Sequence, residues 1–249
     1  MSSPLFVAAE LEGIEILQSR ALLEESVPHG FTLRTGSFGA RGNGERDRER
    51  LRRALGFSRL AEMHQFHGND VRVLEGNGVA RCDGLLAGES GVGVVVQSAD
   101  CVPLLLWAAR ARAVAAVHAG WRGTRAGIAS RAVSRLSEVY GAPVEEIHAA
   151  IGPAIRVCCY EVGDEVISAF AGSGRDIERI SRPGPRGRRH LDLVEENGAQ
   201  LVSSGILAER VYDSGLCTFC ENERFYSFRR EGSGVGRIFG AVGLRESLK

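Results

Sequence analysis

Apolar runs bounded by turn residues are the most regular feature of this sequence. Residues 91–97 (GVGVVVQ), 102–109 (VPLLLWAA) and 113–119 (AVAAVHA) follow one another closely, with RAR between the last two. Short runs of this kind predict buried strands. Two further strands are predicted at 147–152 (IHAAIG) and 236–244 (GRIFGAVGL). The middle of the chain is therefore expected to form a sheet.

Helices are predicted between and around these strands. The predicted helices are 46–56, 124–141, 160–172 and 191–205. The first ends at Gly56, and the second has Thr124 as its N-cap and Gly141 as its stop signal. The basic segment 181–190 (SRPGPRGRRH) is predicted to be an exposed loop without regular structure, because it contains proline and glycine.

The mixture of helices and strands predicts one α+β domain spanning residues 1–249. The 31 cationic and 31 acidic residues cancel, which argues against a nucleic-acid partner. No apolar run approaches the roughly 20 residues of a membrane span. The N-terminus has acidic residues inside its apolar part and no basic segment before it, so we expect a cytoplasmic protein without a signal peptide.

Three candidate chemical residues each lie where a predicted strand meets a turn: His67 in QFHGNDV, Cys101 in SADCVPLLL and His118 in VHAGWRG. One thiolate and two imidazoles are a suitable three-ligand set for zinc, with a fourth position left for water or substrate. The same groups suit a Cys101 nucleophile with a histidine base. They are also compatible with ordinary core positions. The spacing alone leaves these three interpretations open.

Four further cysteines occur as an adjacent pair, Cys158 and Cys159, and as a CTFC segment with Cys217 and Cys220. Neighbouring residues rarely both bind one ion, and no second CxxC pair is present. We therefore expect these cysteines to be mainly core and turn residues, with a structural zinc site or a redox pair as alternatives.

Several arginines lie near the candidate residues. Arg34, Arg122, Arg229 and Arg230 could hold a phosphate. A solvated surface position is the alternative for each of them.

Taken together, the motifs resemble those of the laccase-domain family, whose members carry the name of multicopper polyphenol oxidases or of purine nucleoside phosphorylases. The matching blocks, in family order, are QFHGNDV, CDGLL, SADCVPLLL, AAVHAGWRGT, AAIGPAIRVCCYEVGDEV, LDLVEENGAQL and CTFCENERFYSFRREG, with a final GR. The resemblance covers nearly the whole chain.

The resemblance implies a single α/β/β/α sandwich and a catalytic zinc ion bound by His67, Cys101 and His118. It also implies phosphorolysis of adenosine and inosine to the free base and ribose 1-phosphate, with methylthioadenosine phosphorolysis and adenosine deamination as associated activities. The partners expected are therefore a small-molecule nucleoside and phosphate. Asp100, beside Cys101, is expected to support that ligand, to act as a base or to cap the following turn. Arg34 and Arg122 are expected to bind phosphate.

Two features of the chain depart from the family pattern. Ser37 and Gly39 stand where the family usually has glycine and serine, and the stretch that follows is shortened, so substrate preference could differ. Ala154 replaces a frequent cysteine.

Copper oxidase chemistry is disfavoured by a count of ligands. Four coppers need roughly ten histidines, arranged in His-x-His pairs. This sequence has six histidines and no such pair. Two alternatives outside the phosphorylase class remain: a cysteine-type hydrolase acting on an amide, such as a peptide or cell-wall fragment, and an interaction domain whose zinc has His64 as a fourth ligand.

Overall fold

The computed structural model describes residues 5–34 and 44–246. The strands are β1 (Phe6–Leu11), β2 (Ile14–Ser19), β3 (His29–Thr32), β4 (Arg59–His64), β5 (Val71–Val73), β6 (Ala80–Arg81), β7 (Gly84–Ala87), β8 (Val92–Ser98), β9 (Val102–Ala108), β10 (Ala113–Ala119), β11 (Ile147–Ile151), β12 (Glu161–Val162), β13 (Ser181–Pro183), β14 (Arg189–Leu191), β15 (Val211–Asp213) and β16 (Ile238–Gly243). The α-helices are α1 (Arg20–Glu24), α2 (Gly44–Ala54), α3 (Trp121–Arg125), α4 (Ile128–Tyr140), α5 (Asp164–Ala171), α6 (Ile177–Ile180), α7 (Leu193–Ser203) and α8 (Phe228–Glu231). Short 3-10 turns lie at Val144–Glu146 and Ala208–Arg210.

Most of the strands form two mixed sheets. One sheet has the order β1-β2-β3-β16-β8-β4-β6, and the other has the order β15-β11-β9-β10-β7-β5. Antiparallel pairs such as β9 with β10 are combined with parallel pairs such as β4 with β8. A small third sheet contains β12, β14 and β13.

The two large sheets pack face to face. Strand β10 is apolar throughout because both of its faces are buried. Val114 and Ala116 point into the core between the sheets. Ala115 and Val117 point the opposite way, into a second core beneath the helices. Successive side chains of a strand alternate between faces, so a strand that is buried on both faces needs an unbroken apolar run.

Helices cover the outer faces of both sheets. The helices α4 and α7 pack over the six-stranded sheet, through residues such as Ile128 and Leu201. On the other side, Leu51 of α2 packs with Ile14 and Ile16 of the seven-stranded sheet. The layer order is therefore α/β/β/α, and the predicted α+β class with mixed sheets is confirmed.

The predicted helix 124–141 has the correct end but the wrong beginning. Thr124 is not its N-cap, because it lies inside the separate short helix α3, and its hydroxyl donates to the carbonyl of Ala119. The following helix begins after Gly127, whose φ of 79° separates the two helices. Gly141 ends it in the left-handed conformation that glycine adopts most readily, with φ 64°.

Two other predictions need correction, and one lies outside the described residues. The helix predicted for 160–172 covers only Asp164–Ala171, because Glu161–Val162 pairs as a strand. The predicted loop 181–190 contains two short paired strands, with proline and glycine confined to the strand end and the turn between them. The departures at Ser37 and Gly39 lie outside the described residues.

Candidate metal centre and cavity

The structure brings His67, Cys101 and His118 together. His67 lies in the loop after β4, Cys101 in the bend between β8 and β9, and His118 near the end of β10. Their possible ligand atoms all lie within 4.8 Å of one another. His118 is buried, Cys101 is half-buried and His67 is exposed. The three side chains therefore form a compact donor set that is open to solvent on the His67 side.

Asp83, just before β7, positions both histidines. The Nδ1 of His118 hydrogen-bonds to Oδ1 of Asp83 over 2.8 Å, which leaves Nε2 as the ligand atom of His118. The backbone N–H of His67 donates to Oδ1 over 2.9 Å and that of Gly68 to Oδ2 over 2.7 Å. These bonds hold His67 at a φ of 64°, which is uncommon for a residue with a side chain.

The glycines of the HAGWRG motif allow close approach around this centre. A Cβ on Gly120 would lie 3.2 Å from the sulfur of Cys101 and 3.2 Å from Cδ2 of His67. A Cβ on Gly123 would lie 2.6 Å from the carbonyl oxygen of Gly68. The motif therefore has glycine where the backbone packs directly against the candidate ligands and their loop.

The electrostatics of the centre favour a metal-binding thiolate. Burial opposes ionisation of Cys101, but the charge and hydrogen bonds of His118 and His67 outweigh it and lower the pKa of the thiol to about 6. Burial likewise opposes protonation of His118, but Cys101 and Asp83 raise its pKa to about 9. Without a metal, the two groups form a thiolate–imidazolium pair at neutral pH.

Asp100 supports Cys101 through an extensive set of hydrogen bonds. Its Oδ1 accepts from the hydroxyl of Thr218 over 2.6 Å. Its Oδ2 accepts from the hydroxyl of Ser227 and from the backbone N–H of Arg229, over 3.1 and 2.6 Å. These contacts connect the bend before β9 with the CTFC turn and with the start of α8, and they favour a positioning role for Asp100 over that of a base or a turn cap.

A cavity of about 630 Å³ opens beside the three candidate ligands, all of which line it. Its walls also include His64, Gln65, Gln97, Tyr160, Phe228, Arg229 and Arg237. This volume lies within the usual range for small-molecule sites. Burial is the main reason that the pKa of Tyr160 rises to about 12, so its hydroxyl stays protonated and can donate a hydrogen bond.

The two arginines predicted to bind phosphate do not line the cavity. The guanidinium of Arg34 forms a bidentate ion pair with the carboxylate of Glu231, and both N–O distances are 2.8 Å. The positive charge of Arg34 is therefore already compensated. Arg122 is exposed and stacks on Trp121, 4.4 Å from the ring centroid. The cavity instead contains Arg229 and Arg237.

Sequence reasoning named Arg229 among several arginines, but it did not identify Arg237, Tyr160 or Asp83 as site residues. The CDGLL block containing Asp83 carried a signal, because a buried aspartate before an apolar strand requires hydrogen-bond donors.

The other four candidate cysteines also come together. The sulfurs of Cys158, Cys159, Cys217 and Cys220 lie within 4.8 Å of one another. As expected, Cys158, Cys159 and Cys220 lie in turns and Cys217 is buried. The expectation did not include the meeting of all four sulfurs at one point. Folding brings Cys158 and Cys159 against the CTFC turn, and the spacing along the chain does not reveal this contact.

No helix among residues 5–34 and 44–246 is long and apolar enough to cross a membrane.

The chain is similar to several curated proteins. The chain is 36% identical to the purine nucleoside phosphorylase of Deinococcus radiodurans, over 93% of this chain and 94% of that protein. It is 38% identical to the purine nucleoside phosphorylase of Bacteroides thetaiotaomicron and 40% identical to adenosine deaminase RL5 of an unknown prokaryotic organism, each over 64% of this chain. These last two matches span only 60% and 61% of the relatives' own length.

The fold is also found in a solved structure. The hypothetical protein YfiH of Bacillus licheniformis superposes with a TM-score of 0.88 at 26% identity, covering 98% of this chain and all of that one. A family model described as multi-copper polyphenol oxidoreductase laccase matches residues 29–245. The chain therefore belongs to this laccase-domain family, in which curated relatives bear the name purine nucleoside phosphorylase.

Proposed function

We propose that this chain is a zinc-dependent purine nucleoside phosphorylase. It converts adenosine or inosine and phosphate into the free base and ribose 1-phosphate, and methylthioadenosine belongs to the same substrate class. The observation that carries the proposal is the donor set of His67, Cys101 and His118 on the wall of a cavity of about 630 Å³. The activity named in the related proteins supports it.

The donor chemistry fits zinc. A thiolate and two imidazoles are frequent ligands of a catalytic zinc ion, which supplies Lewis acidity at an open coordination position. Asp83 holds His118 in the tautomer that presents Nε2, as metal-binding histidines require. Gly120 keeps the space between the ligands clear of a side chain.

Four-copper chemistry lacks the necessary histidines. His29 is buried between Ser19 and Val27, and His148 is bonded to Tyr212. The ring of His190 contacts the carbonyl of Val157. Three of the six histidines are thus engaged away from the cavity, which supports zinc rather than a multicopper cluster.

In phosphorolysis a phosphate oxygen bonds to C1′ of the ribose while the C1′–N9 bond breaks. Positive charge develops on the ribose, and the purine leaves with the bonding electron pair. Arg229 and Arg237 provide positive charge for phosphate in the cavity. Among the described residues neither guanidinium forms an ion pair. Arg229 donates to the carbonyl of Glu161 and stacks on the ring of Tyr160, 5.2 Å from its centroid, and Arg237 donates to the carbonyls of Val235 and Gly236.

The remaining cavity residues suit a purine. Phe228 is 55% exposed, so a flat base can stack on its ring. The Tyr160 hydroxyl stays protonated and can donate to a purine nitrogen that gains electron density as the bond breaks. The side-chain amide of Gln65 donates to the backbone carbonyl of Gln97 and accepts from its backbone N–H, which holds this part of the wall in place.

The decisive experiment incubates zinc-loaded protein with adenosine or inosine, with and without phosphate, and identifies products by mass spectrometry. Free purine and ribose 1-phosphate are expected only with phosphate. Cys101→Ala is expected to lose both zinc at this site and turnover. Cys82→Ala is the matched control, because Cys82 is buried but lies outside both sulfur-containing clusters. Absence of purine release from protein that retains zinc at this site would contradict the proposal.

Adenosine deamination is a second candidate, favoured by the relative named adenosine deaminase. It needs water instead of phosphate and yields inosine and ammonia. The same experiment distinguishes it, since inosine would form from adenosine without phosphate.

A cysteine hydrolase is favoured only by the low pKa of Cys101 beside His118. It would require amide cleavage by metal-free protein, blocked by a thiol alkylator. Cleavage that disappears on chelation would rule it out.

A further inference from the structure

A second group of soft ligands lies apart from the three residues assigned to the catalytic centre. We propose that one structural zinc ion is bound by Cys158, Cys159, Cys217 and Cys220. The ion would join the turn at 157–159 to the turn at 217–220. This inference does not depend on the phosphorylase proposal.

The sulfur separations are close to those of a tetrahedral zinc site. Cys158 Sγ lies 3.6 Å from Cys217 Sγ and 3.7 Å from Cys220 Sγ, and Cys159 Sγ lies 3.3 Å from Cys220 Sγ. Four sulfurs around zinc, with Zn–S bonds of about 2.3 Å, lie about 3.8 Å apart. A disulfide requires about 2.05 Å, and all four cysteines are free thiols. The arrangement has room for one ion at its centre after a small outward movement of the sulfurs.

Backbone N–H groups surround the sulfur of Cys217. Backbone N–H groups of Arg156, Phe219 and Cys220 point to the sulfur of Cys217. Phe219 and Cys220 belong to the CTFC turn itself, and Arg156 directly precedes the turn of Cys158 and Cys159, so donors from both segments meet at this sulfur. The guanidinium of Arg230 contacts the carbonyls of Thr218 and Phe219 over 2.8 and 2.9 Å, between the two cysteines of that turn. The same guanidinium is ion-paired with Glu231 over 2.7 Å, so its role at this turn is to hold the two carbonyls by hydrogen bonds.

The adjacent pair Cys158–Cys159 is unusual for a single ion, because consecutive side chains normally diverge. Here both residues lie in a turn, where the backbone N–H of Cys159 bonds to the carbonyl of Arg156 over 2.9 Å. The turn directs both sulfurs to the CTFC segment, since each of them contacts Cys220. The exposure of Cys158 and Cys220 gives a metal ion access from solvent.

The position of this site explains what a structural ion would do. Tyr160, which lines the cavity, directly follows Cys159. Thr218, which directly follows Cys217, donates to Asp100 beside Cys101. A zinc ion between the two turns would fix two parts of the cavity wall relative to each other without contacting the substrate. The four cysteines are therefore positioning residues.

The test measures bound metal directly. Protein purified from zinc-supplemented cells is analysed by elemental mass spectrometry, and its zinc environment by X-ray absorption. Wild type is expected to hold about two zinc ions per chain, and Cys101→Ala about one, bound by sulfur alone at about 2.3 Å. The double variant Cys217→Ser/Cys220→Ser is expected to hold about one ion in the mixed nitrogen and sulfur site. Cys82→Ser is the matched control and retains both.

The Cys101→Ala variant keeps the proposal testable even if the double variant fails to fold, because it leaves the four-cysteine cluster intact. A metal-free Cys101→Ala protein with four alkylatable cluster thiols would overturn the proposal. So would a disulfide within the cluster, found by peptide mass spectrometry, or iron in place of zinc. If the all-sulfur zinc site is present but no purine is released, the phosphorylase proposal alone fails.

Discussion

Asp83 and His118 form a buried pair in which the imidazole Nδ1 lies 2.8 Å from the carboxylate Oδ1. The same carboxylate accepts the backbone N–H groups of His67 and Gly68. The side chain of Asp83 thus orients the ring of His118 and the backbone of His67.

We therefore predict that Asp83→Asn weakens zinc binding by about 10- to 100-fold, as loss of a partner of a ligating histidine typically does. The amide offers only one acceptor oxygen to these donors, and its NH₂ group would face N–H groups. Metal affinity is measured by competition with a chromogenic chelator. The exposed Asp164→Asn serves as control, and equal affinities in the two variants would contradict the assignment.

Gly120→Ala is predicted to weaken zinc binding with little loss of fold stability. The new Cβ would lie 3.2 Å from Cys101 Sγ and from His67 Cδ2, so both ligands would have to move by a few tenths of an ångström. Gly78→Ala is the matched control, because nothing lies within 4 Å of its Cβ. Zinc content and thermal unfolding are measured for both variants, and unchanged zinc affinity in Gly120→Ala would show that the ligands do not meet at this point.

Substitution of the cavity arginines, Arg229 and Arg237, is predicted to impair the use of phosphate, whereas substitution of Arg34 is not. Arg229→Gln and Arg237→Gln are each expected to lower kcat/KM for phosphate by about 10- to 100-fold, since a hydrogen bond to a charged group contributes about 1.5–3 kcal/mol. Arg34→Gln is expected to leave the KM for phosphate nearly unchanged and to lower stability by about 1 kcal/mol, because it breaks the pair with Glu231. Steady-state kinetics at varied phosphate distinguish these outcomes. The reverse pattern would return Arg34 to the phosphate site.

The buried His29 is predicted to make the folded protein less stable at acidic pH. Burial is the main reason that its pKa falls from 6.5 to about 4 in the folded protein. Between those values the unfolded chain binds the proton and the folded chain does not, so stability falls as pH falls from 6.5 to 4. The full contribution is about 3 kcal/mol, at 1.36 kcal/mol for each pKa unit.

Urea unfolding of metal-free wild type and His29→Gln, measured from pH 7.5 downward, tests this prediction. Wild type is expected to lose more stability than the variant over this window. Parallel stability profiles would show that folding does not lower the pKa of His29. Metal-free protein is used for both because acid also releases metal from the candidate ligands.

Local pattern predicted the central strands well. The runs 102–109 and 113–119 became β9 and β10 because both faces of these strands are buried, which makes the apolar sequence continuous. Gly141 ended its helix as expected, since the left-handed conformation needed there is a local property of glycine. Thr124 failed as a cap because the motif before it folds into a short helix of its own, α3.

The candidate ligands His67, Cys101 and His118 were named from motifs and a family resemblance, because each residue lies in a distinctive local block. Their meeting point depends on the pairing of β9 with β10, on the bend that connects β8 of the other sheet to β9, and on the loop held by Asp83. The ion pair of Arg34 could not be predicted from the sequence, because its partner, Glu231, lies 197 positions away.

The sequence by itself determined the alternation of strands and helices, the turn glycines and the types of ligand available, since these depend on neighbouring residues. Only the tertiary structure decided which arginines reach the cavity and which cysteines share one point. Those outcomes depend on contacts between segments that are far apart in the chain, such as Cys158 with Cys217, and such contacts leave no periodic signal in the sequence.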